Sequence, residues 1–393
     1  MVGYKVFSAF DGMACARLAL DLAGVRVAKY YASEVEKWPI KVALDNWPNI
    51  IELGDIRNVE LPEAVDIFAG GSPCQSFSFA GKRAGMAAQD GDERLEVTSL
   101  EQYLELKREG FEFVGQSYLF WEYVRLLRDA QRLNPNVLFL LENTRMEKKW
   151  RDVITRTLGV EPVLLNSALV SAQNRERYYW ANWPLPTPKD RGLLLKDIIG
   201  VGEVDRAKSH CLDASYHKGT SADIYLRKHR RQAVFQTICV NPKSGRGGDD
   251  SAQPSVQDRI YSAEGKMPAL TTGHHPSVAY GVPIETIDAL ADQFGGVIIE
   301  KLGEDLQDGA ELPKGVIHVV DGWTLLKGKR YRIKLDDGYY LVRKLTPEEA
   351  EALQTLPIGY TAAAPATARY HMIGNGWTAE MIACFFRNID LYV

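Results

Sequence analysis

The stretch over residues 4–34, YKVFSAFDGMACARLALDLAGVRVAKYYASE, decides the fold class. Apolar residues dominate positions 4–10, which predicts a β-strand, and a turn at Gly12 leads into a helical pattern over 15–24. This helix is expected to end at Gly24, and a second apolar run over 27–34 predicts the next strand. A strand, a helix and a further strand at this spacing form the unit from which parallel sheets are built.

The alternation of strand and helix patterns continues to about residue 180. Helices are predicted over 38–48, 99–110, 117–135 and 150–160, and strands over 64–71, 136–143 and 177–183, with a strand or turn over 50–56. The run NVLFLLEN, residues 136–143, is apolar almost throughout, as strands buried on both faces of a parallel sheet are. We therefore predict an α/β fold with a doubly wound, mostly parallel sheet.

The composition changes after residue 183. The proline-rich stretch 183–192 is typical of a linker, and residues 200–340 carry many glycines and short strand-like runs, among them 234–240, 296–302, 315–323 and 328–345. Helical patterns return over 346–357 and 377–389. We predict a first domain over 1–183, a smaller β-rich domain over 184–342, and a C-terminal segment over 343–393 that packs back onto the first domain.

Composition excludes several classes of protein. The 393 residues contain no apolar run long enough for a membrane span, and the N-terminus lacks the pattern of a signal peptide. The five cysteines are widely scattered and show no C-x-x-C spacing, which argues against a disulfide framework and against a bound metal. A protein of the reducing cytoplasm is the expectation.

The charge is distributed unevenly along the chain. The formal net charge is −4, yet residues 205–266 hold 11 Lys and Arg against 7 Asp and Glu, and residues 285–311 hold 8 acids against 1 lysine. A protein that is acidic overall can still present one basic face to nucleic acid. A solvated surface explains the same charges, and both alternatives stay open.

Candidate site residues follow the ends of the predicted strands, where functional loops of open α/β sheets lie. The turn Phe10–Met13 leads into a helix N-terminus, but its single glycine differs from the G-x-G-x-x-G pattern, which makes a pyrophosphate ligand less suitable than an adenosine or a carboxylate. Glu34 could accept hydrogen bonds from ribose hydroxyls and Asp55 from an adenine amino group. Each acid could equally be a cap or turn residue.

Three further motifs carry reactive chemistry. In Gly70–Ser76, GGSPCQS, a proline and small neighbours leave the thiol of Cys74 accessible as a nucleophile, whereas a structural cysteine would be buried. Glu142 ends an apolar strand and could act as a general acid, or be a salt-bridged core residue. Arg175 and Arg177 share one face of a strand and could hold an anion or a carbonyl, or form surface ion pairs.

In this order the motifs resemble those of the DNA cytosine-C5 methyltransferases, over nearly the whole chain. The stretch FDGMACARL resembles the first cofactor motif, GGSPCQSFS the Pro-Cys-Gln loop, LLENT the Glu-Asn motif, and QNRERYYW the Gln-x-Arg-x-Arg motif. RKLTPEEAEALQTLP and YHMIGNGW resemble the last two motifs, after a variable target-recognition domain. The resemblance implies a class I S-adenosylmethionine-dependent methyltransferase fold, with 1–183 catalytic and 184–342 recognising the target.

The resemblance also implies a reaction. Cys74 would attack C6 of a cytosine flipped out of duplex DNA, and C5 would take a methyl group from S-adenosylmethionine. Glu142 would protonate or hydrogen-bond N3, Arg177 would help hold O2, and Arg175 would position the nucleophile and its loop. Loss of the C5 proton would then release the enzyme.

Two larger sets of residues are assigned by the same resemblance. S-adenosylmethionine would be bound by Phe10, Asp11, Gly12, Met13, Glu34, Val35, Asp55, Ile56, Ser72, Pro73, Asn375 and Trp377. DNA would be contacted by Gln75, Ser76, Ser78, Lys82, Arg83, Arg230, Arg231, Arg246, Thr271 and Thr272. The expected partner is duplex DNA, and the protein is expected to be a monomer. The resemblance also allows a cognate restriction enzyme as a partner.

The chain departs from the family pattern at several positions. Thr144 stands where valine is usual, Gly376 where serine is usual, and residues 95–116 form an insertion in the catalytic loop. Two alternatives remain. The RNA branch of the family would carry a Cys-Phe-Thr motif that does not occur here, and a catalytically silent DNA-binding module would not need the complete set of reactive residues.

Overall fold

The computed structural model describes residues 3–73, 86–90, 93–238, 312 and 315–392. The chain divides into two units. The first comprises Met1–Gly200, Arg206–Gly219 and Leu345–Val393, and the second comprises Val201–Asp205 and Thr220–Lys344. The division at residues 183 and 342, expected from the sequence, stays a prediction.

The first unit is built on a mixed sheet. Its described strands are β1 (Tyr4–Ala9), β2 (Val27–Ser33), β3 (Ile50–Glu52), β4 (Ile67–Gly70), β5 (Ala87–Asp90), β6 (Glu93–Glu96), β7 (Glu112–Val114), β8 (Leu138–Thr144), β9 (Val163–Asn166) and β10 (Glu176–Ala181). Seven of them form the main sheet in the order β3-β2-β1-β4-β8-β10-β9. β1, β2, β3, β4 and β8 pair in parallel, whereas β10 is antiparallel to β8 and β9. The predicted doubly wound, mostly parallel sheet is confirmed.

Helices connect these strands. The described helices are α1 (Cys15–Leu22), α2 (Lys37–Asn46), α3 (Leu100–Glu109), α4 (Phe120–Leu133), α5 (Lys148–Leu158), α6 (Pro347–Leu353), α7 (Ala366–Asn375) and α8 (Ala379–Phe386). Local pattern predicts all of them except α7, and it also misses the short strands β5, β6, β7 and β9. α7 lacks a capping side chain, and its buried Tyr370, Met372 and Ile373 show that tertiary packing stabilises it. β9 has only four residues, too few for a periodic signal.

A hydrophobic core fixes the strands that lead to the site. Phe7 of β1, Phe68 of β4 and Phe139 of β8 are almost fully buried in one cluster with residues of α4. The ring of Phe68 meets that of Tyr123 on α4 edge to face, with centroids 5.0 Å apart. Close packing of this kind holds the carboxyl ends of β1, β4 and β8 in a constant arrangement.

The region of the predicted insertion is a folded substructure. β5, β6 and β7 form a separate antiparallel sheet in the order β6-β5-β7. Ser99 caps the N-terminus of α3, and its side chain accepts from the backbone N–H of Gln102. The spacing Ser99-x-x-Gln102 predicts a capping box, and this prediction is wrong in one detail, because the Gln102 side chain accepts from Thr98 N at 2.9 Å instead of from Ser99 N. The Tyr103 hydroxyl donates to buried Glu122 of α4 at 2.6 Å, which ties the substructure to the core.

The second unit is β-rich, as predicted. Its described strands are β11 (Ala233–Ile238), β12 (Val316–Val320), β13 (Trp323–Leu326), β14 (Lys329–Arg332) and β15 (Gly338–Lys344). They form one antiparallel sheet in the order β11-β15-β12-β13-β14. One face buries Phe235, Ile317 and Tyr340 against the short helix Asp223–Arg227. The strand-like run 296–302 lies outside the described residues.

Across the residues that the structure describes, no helix is long and apolar enough to cross a membrane. The same residues contain no group of three or more His, Cys, Asp or Glu side chains arranged to hold a metal ion.

Candidate active site

A cavity of about 230 Å³ lies at the carboxyl edge of the main sheet. The order of strands reverses between β1 and β4, which is the point where open α/β sheets bind their ligands. Loops after β1, β2 and β4 line the cavity, together with the ends of β8 and α7 and the start of β10. The predicted site residues among its lining are Phe10, Asp11, Gly12, Met13, Glu34, Val35, Ser72, Pro73, Glu142, Arg175, Arg177, Asn375 and Trp377.

Two of the predicted cofactor residues are not in that lining, and one predicted catalytic residue is not described. Cys74 lies outside the described residues. The Asp55 carboxylate caps the short turn that follows it and pairs with the Arg57 side chain at 2.9 Å. Ile56 is buried in the core. The carboxylate of Asp55 is thus used locally, while its predicted role toward an adenine stays a prediction.

Glu142 lies at the centre of the cavity wall. The residue is only 8% exposed. One of its carboxylate oxygens, Oε1, accepts from Nε of Arg177 at 2.9 Å. The other, Oε2, accepts from the indole Nε1 of Trp377 at 3.1 Å. A buried carboxylate needs such partners, because desolvation is costly for an unpaired charge. Two donors therefore fix its orientation toward the cavity.

Strand pairing explains why Arg177 reaches Glu142. In the antiparallel register of β10 and β8, Arg177 lies opposite Thr144, and Tyr179 lies opposite Glu142. Arg177 and Glu142 are therefore diagonal neighbours on one face of the sheet, within reach of a long side chain. Because β10 runs antiparallel to β8, its first residues lie at the same edge as the last residues of β8.

Arg175 holds the backbone of the cavity wall. The residue is 2% exposed, and its guanidinium donates to the carbonyls of Leu212 at 3.0 Å, Gly374 at 3.2 Å and Gly376 at 2.8 Å. Trp377 follows directly after the last of these carbonyls. A single buried cation thus organises the segment that carries the indole donor to Glu142.

The residues just before Cys74 are also anchored. The Asn143 amide donates to the Ser72 carbonyl at 3.1 Å and to its hydroxyl at 3.0 Å, and the Ser117 hydroxyl donates to the Pro73 carbonyl at 3.2 Å. A Cβ at Gly71 would lie 2.8 Å from Trp377 Nε1 and 3.2 Å from Glu142 Oε2, so this position requires glycine. The backbone three residues before Cys74 therefore packs against the Glu142 carboxylate.

The other half of the cavity presents carboxylates. Glu34 Oε2 accepts from Gly12 N at 2.9 Å, and Oε1 accepts from the amides of Val35 and Glu36 at 2.7 and 2.9 Å. Gly12 has φ of 60°, and a Cβ there would meet no atom within 4 Å, so the turn leaves open space beside the carboxylate. A carboxylate with free lone pairs can accept further hydrogen bonds from ligand hydroxyls.

Asp11 is the most perturbed acid in the cavity. Burial raises its pKa to about 7, hydrogen bonds with Ser8 and Tyr30 oppose this in part, and the charges of Glu52 and Glu34 raise it further. The Tyr30 hydroxyl donates to Oδ1 at 2.6 Å, whereas Oδ2 is buried without a hydrogen-bond partner among the described residues. An unpartnered carboxylate oxygen beside Glu34 fits a ligand that carries a cationic group and hydroxyl donors.

The described thiols near the cavity differ in their chemistry. Cys15 lines the cavity but is buried, and burial raises its pKa to about 12, so it is a poor nucleophile. Cys211 is exposed, with Sγ 3.5 Å from Nη1 of Arg175 and 4.0 Å from Nη2 of Arg177. Desolvation raises the pKa of the Cys211 thiol, but the two guanidiniums outweigh it, and the net shift is downward.

The predicted DNA contacts are described only in part. Arg230 and Arg231 lie in the second unit, between the short helix Asp223–Arg227 and β11. The others lie outside the described residues, namely Gln75, Ser76, Ser78, Lys82, Arg83, Arg246, Thr271 and Thr272.

Sequence reasoning missed several residues of the cavity. Gln116 and Leu119 reach it from the start of α4, and His371 and Met372 reach it from α7. Once α7 is known, position 371 falls one turn before Asn375 on the same face, but no local pattern predicts α7 itself. No local pattern marks Gln116 or Leu119, because only packing of α4 against β4 carries them to this edge.

Comparisons with known proteins agree with this geometry. A family model described as C-5 cytosine-specific DNA methylase matches residues 4–100. The orphan methyltransferase M.SPRI of Bacillus phage SPR is 31% identical over 454 residues, which cover 98% of this chain and 97% of that protein. M.Rho11sI, an orphan methyltransferase of Bacillus phage rho11s, is 32% identical over 181 residues, 44% of this chain and 32% of that protein.

A solved structure shares the fold. The Entamoeba histolytica methyltransferase EhMeth aligns with a TM-score of 0.53 at 10% identity, over 100% of this chain and 99% of that one. The fold is that of the class I methyltransferases, whose cofactor is S-adenosylmethionine, and the Asp11 and Glu34 carboxylates fit its ammonium and hydroxyl groups. With a relative aligned over almost its full length, this chain belongs to the C-5 cytosine-specific DNA methylase family.

Proposed function

We propose that the protein methylates C5 of cytosine in duplex DNA, with Cys74 as the nucleophile. One observation carries the proposal: the buried Glu142 carboxylate, held by Arg177 and Trp377, packs against Gly71 three residues before Cys74. A carboxyl group this close to a nucleophile loop can hydrogen-bond the edge of a pyrimidine while its ring is attacked. Residues 184–342 would recognise the target sequence.

Cytosine is a poor electrophile until charge on its ring is stabilised. Attack of the Cys74 thiolate on C6 forms a C–S bond and pushes electron density toward N3 and C5. Glu142 can donate a proton or a hydrogen bond to N3, where this charge develops, and so lower the barrier. The Arg177 guanidinium beside it can hold O2 of the base, which keeps the ring in the plane of the carboxyl group.

The second half of the reaction transfers the methyl group and regenerates the Cys74 thiolate. When bound, S-adenosylmethionine would provide the electrophilic methyl group that the activated C5 takes, and S-adenosylhomocysteine would be left as the S–CH3 bond breaks. A base then removes the C5 proton, the C–S bond breaks, and Cys74 is regenerated as thiolate. Asp11 and Glu34 would hold the ammonium and hydroxyl groups of the cofactor, and Arg175 would keep the wall at 374–377 in position.

Two features favour DNA over RNA as the substrate. The family model that matches the chain is that of C-5 cytosine-specific DNA methylases. The Cys-Phe-Thr motif of the RNA branch does not occur in the sequence. A base inside a duplex must leave the stack before either face is reachable, so base flipping is part of the proposal.

The test is covalent trapping on duplex DNA that carries 5-fluorocytosine at random positions, with S-adenosylmethionine present. The wild-type protein is expected to form a complex that survives denaturing gels, because fluorine at C5 blocks the elimination step. Cys74→Ala should form none, and Glu142→Gln should slow trapping by about 10²–10³-fold. Sequencing of the trapped DNA gives the target site.

A matched control uses Glu176→Gln, which removes an exposed carboxylate on the same strand as Arg177 and outside the cavity lining. Its trapping rate should equal that of the wild type. An adduct on 5-fluorocytosine RNA but none on DNA would overturn the proposed substrate. No adduct on either nucleic acid, from protein that binds S-adenosylmethionine, would favour the silent module.

A further inference from the structure

The hairpin formed by β13 and β14 in the second unit combines exposed apolar and basic side chains. In the antiparallel register, Trp323 lies opposite Arg332, and Leu325 lies opposite Arg330. These four side chains share one face of the sheet. Tyr331 points to the opposite face, where it packs against the buried core of the second unit. Trp323 is 38% exposed and Leu325 63% exposed, which is unusual for large apolar residues on one strand.

Positive charge is concentrated in this hairpin and the residues that follow it. Residues 327–334 contain five Lys or Arg and no acid. Lys327 pairs with Asp223 at 3.3 Å, but within the described residues no acidic side chain pairs with Arg330 or Arg332. The Arg330 guanidinium lies 5.1 Å from the centroid of the Trp323 ring, which keeps its charge at the surface of the face.

The second unit as a whole is basic where the structure describes it. Its described residues hold eleven Lys or Arg against six Asp or Glu, a net charge of +5, although the whole chain has −4. A basic surface in an acidic protein indicates an anionic partner. Cations interleaved with an aromatic ring suit phosphates lying beside sugars and bases.

A simpler explanation accounts for part of this pattern. β14 is the edge strand of its sheet, and lysines on edge strands prevent pairing with other chains. That role needs cations but gains nothing from an exposed tryptophan and leucine on the same face. The apolar residues would instead make the edge more adhesive, so edge protection does not explain the combination.

We propose that the face made by Trp323, Leu325, Arg330 and Arg332 is a contact surface for the phosphate backbone of duplex DNA. The proposal rests on the proposed function, since it names where the DNA substrate contacts the second unit. None of these residues was among the DNA contacts predicted from the sequence. Arg330 and Arg332 would neutralise phosphates, and Trp323 would hold Arg330 and cover the sugar edge.

The test measures binding of the full-length protein to an unmodified duplex oligonucleotide by fluorescence anisotropy, between 50 and 300 mM NaCl. Each phosphate contact contributes about 0.9 to the slope of log K against log salt, so Arg330→Gln with Arg332→Gln should reduce the slope by about 1.8. At 0.1 M salt this corresponds to a loss of affinity on the order of 60-fold. Trp323→Leu should weaken binding several-fold with the slope nearly unchanged, because it removes no charge.

The matched control is Arg128→Gln with Arg132→Gln, which removes two exposed cations from the C-terminal half of α4, away from the carboxyl edge of the sheet. Its slope and affinity should equal those of the wild type. An unchanged slope in the Arg330 and Arg332 variant, or an equal change in the control, would overturn the contact surface.

Two other occupants of the face give different results. If the acidic segment 285–311 of the same chain covers it, the double variant should lower the midpoint of thermal unfolding and leave the salt slope unchanged. If a second copy covers it, sedimentation should show a dimer that the variant dissociates. Either result would overturn the proposal. Trapping of 5-fluorocytosine DNA by the wild type is scored separately, so failure of the proposed function and failure of this surface are distinguishable.

Discussion

Substitution of Asp11 by Asn should stabilise the protein without its cofactor and weaken cofactor binding. The Asp11 carboxyl is 7% exposed, and its pKa is raised from 3.8 to about 7, mainly by burial. Below pH 7 the folded protein holds this group protonated, whereas the unfolded chain ionises it at pH about 4. Asn reproduces the neutral form at every pH and keeps an oxygen for the Tyr30 hydroxyl.

The magnitude follows from proton linkage. The stability contributed by the protonated form is fully present below the unfolded pKa of 3.8 and is lost as pH rises through the folded pKa of about 7. At about 1.4 kcal/mol per pH unit, a carboxyl with this shift lowers the stability, relative to a side chain that does not titrate, by about 4 kcal/mol at pH 8 but only about 2 kcal/mol at pH 5. The difference in unfolding free energy between Asp11→Asn and the wild type should therefore widen by about 2–3 kcal/mol between pH 5 and pH 8.

Urea unfolding of both proteins at pH 5, 6.5 and 8, without S-adenosylmethionine, measures this difference directly. Asp45→Asn removes an exposed carboxylate from α2 and should change stability by less than about 0.5 kcal/mol at each pH. A difference between Asp11→Asn and wild type that does not depend on pH would refute the reasoning. Isothermal titration at pH 8 should show S-adenosylmethionine bound by the wild type and at least about tenfold more weakly by Asp11→Asn.

Three further predictions concern the cavity wall and its thiol. Trp377→Phe removes the hydrogen bond to the Glu142 carboxylate but keeps an aromatic ring, so single-turnover methyl transfer should slow by about 10- to 100-fold; an unchanged rate would contradict a positioning role. Arg175→Met leaves three carbonyls without their donor and should lower the free energy of unfolding by about 3 kcal/mol, read from the urea midpoint. In Cys74→Ser protein, peptide mapping should show Cys211 alkylated by iodoacetamide at lower pH than a free cysteine, since two guanidiniums lower its pKa; an ordinary pH profile would count against their influence.

Local sequence pattern was sufficient for the framework of this protein. The periods of 2.0 and 3.6 residues located β1, α1 and β2 to within a residue or two, and alternation of strands with helices predicted a mostly parallel sheet. Once the sheet is parallel, residues that follow its strands must meet at one edge. The sequence alone therefore predicted that four of these residues lie near one another, and all four line one cavity, namely Phe10, Glu34, Ser72 and Glu142.

Tertiary structure alone decided which side chains bond within that cavity. The antiparallel direction of β10 sets Arg177 diagonal to Glu142, and the strand pattern of 177–183 is the same for either direction. Trp377 reaches Glu142 across 235 positions of the chain, through a wall that Arg175 holds by backbone carbonyls. Asp55, which looked equivalent to Glu34 in sequence, caps its own turn and lies outside the lining of the cavity, while its predicted role toward an adenine stays a prediction. Periodicity reports the neighbours of a residue along one element, whereas burial, register and close packing between elements depend on the whole fold.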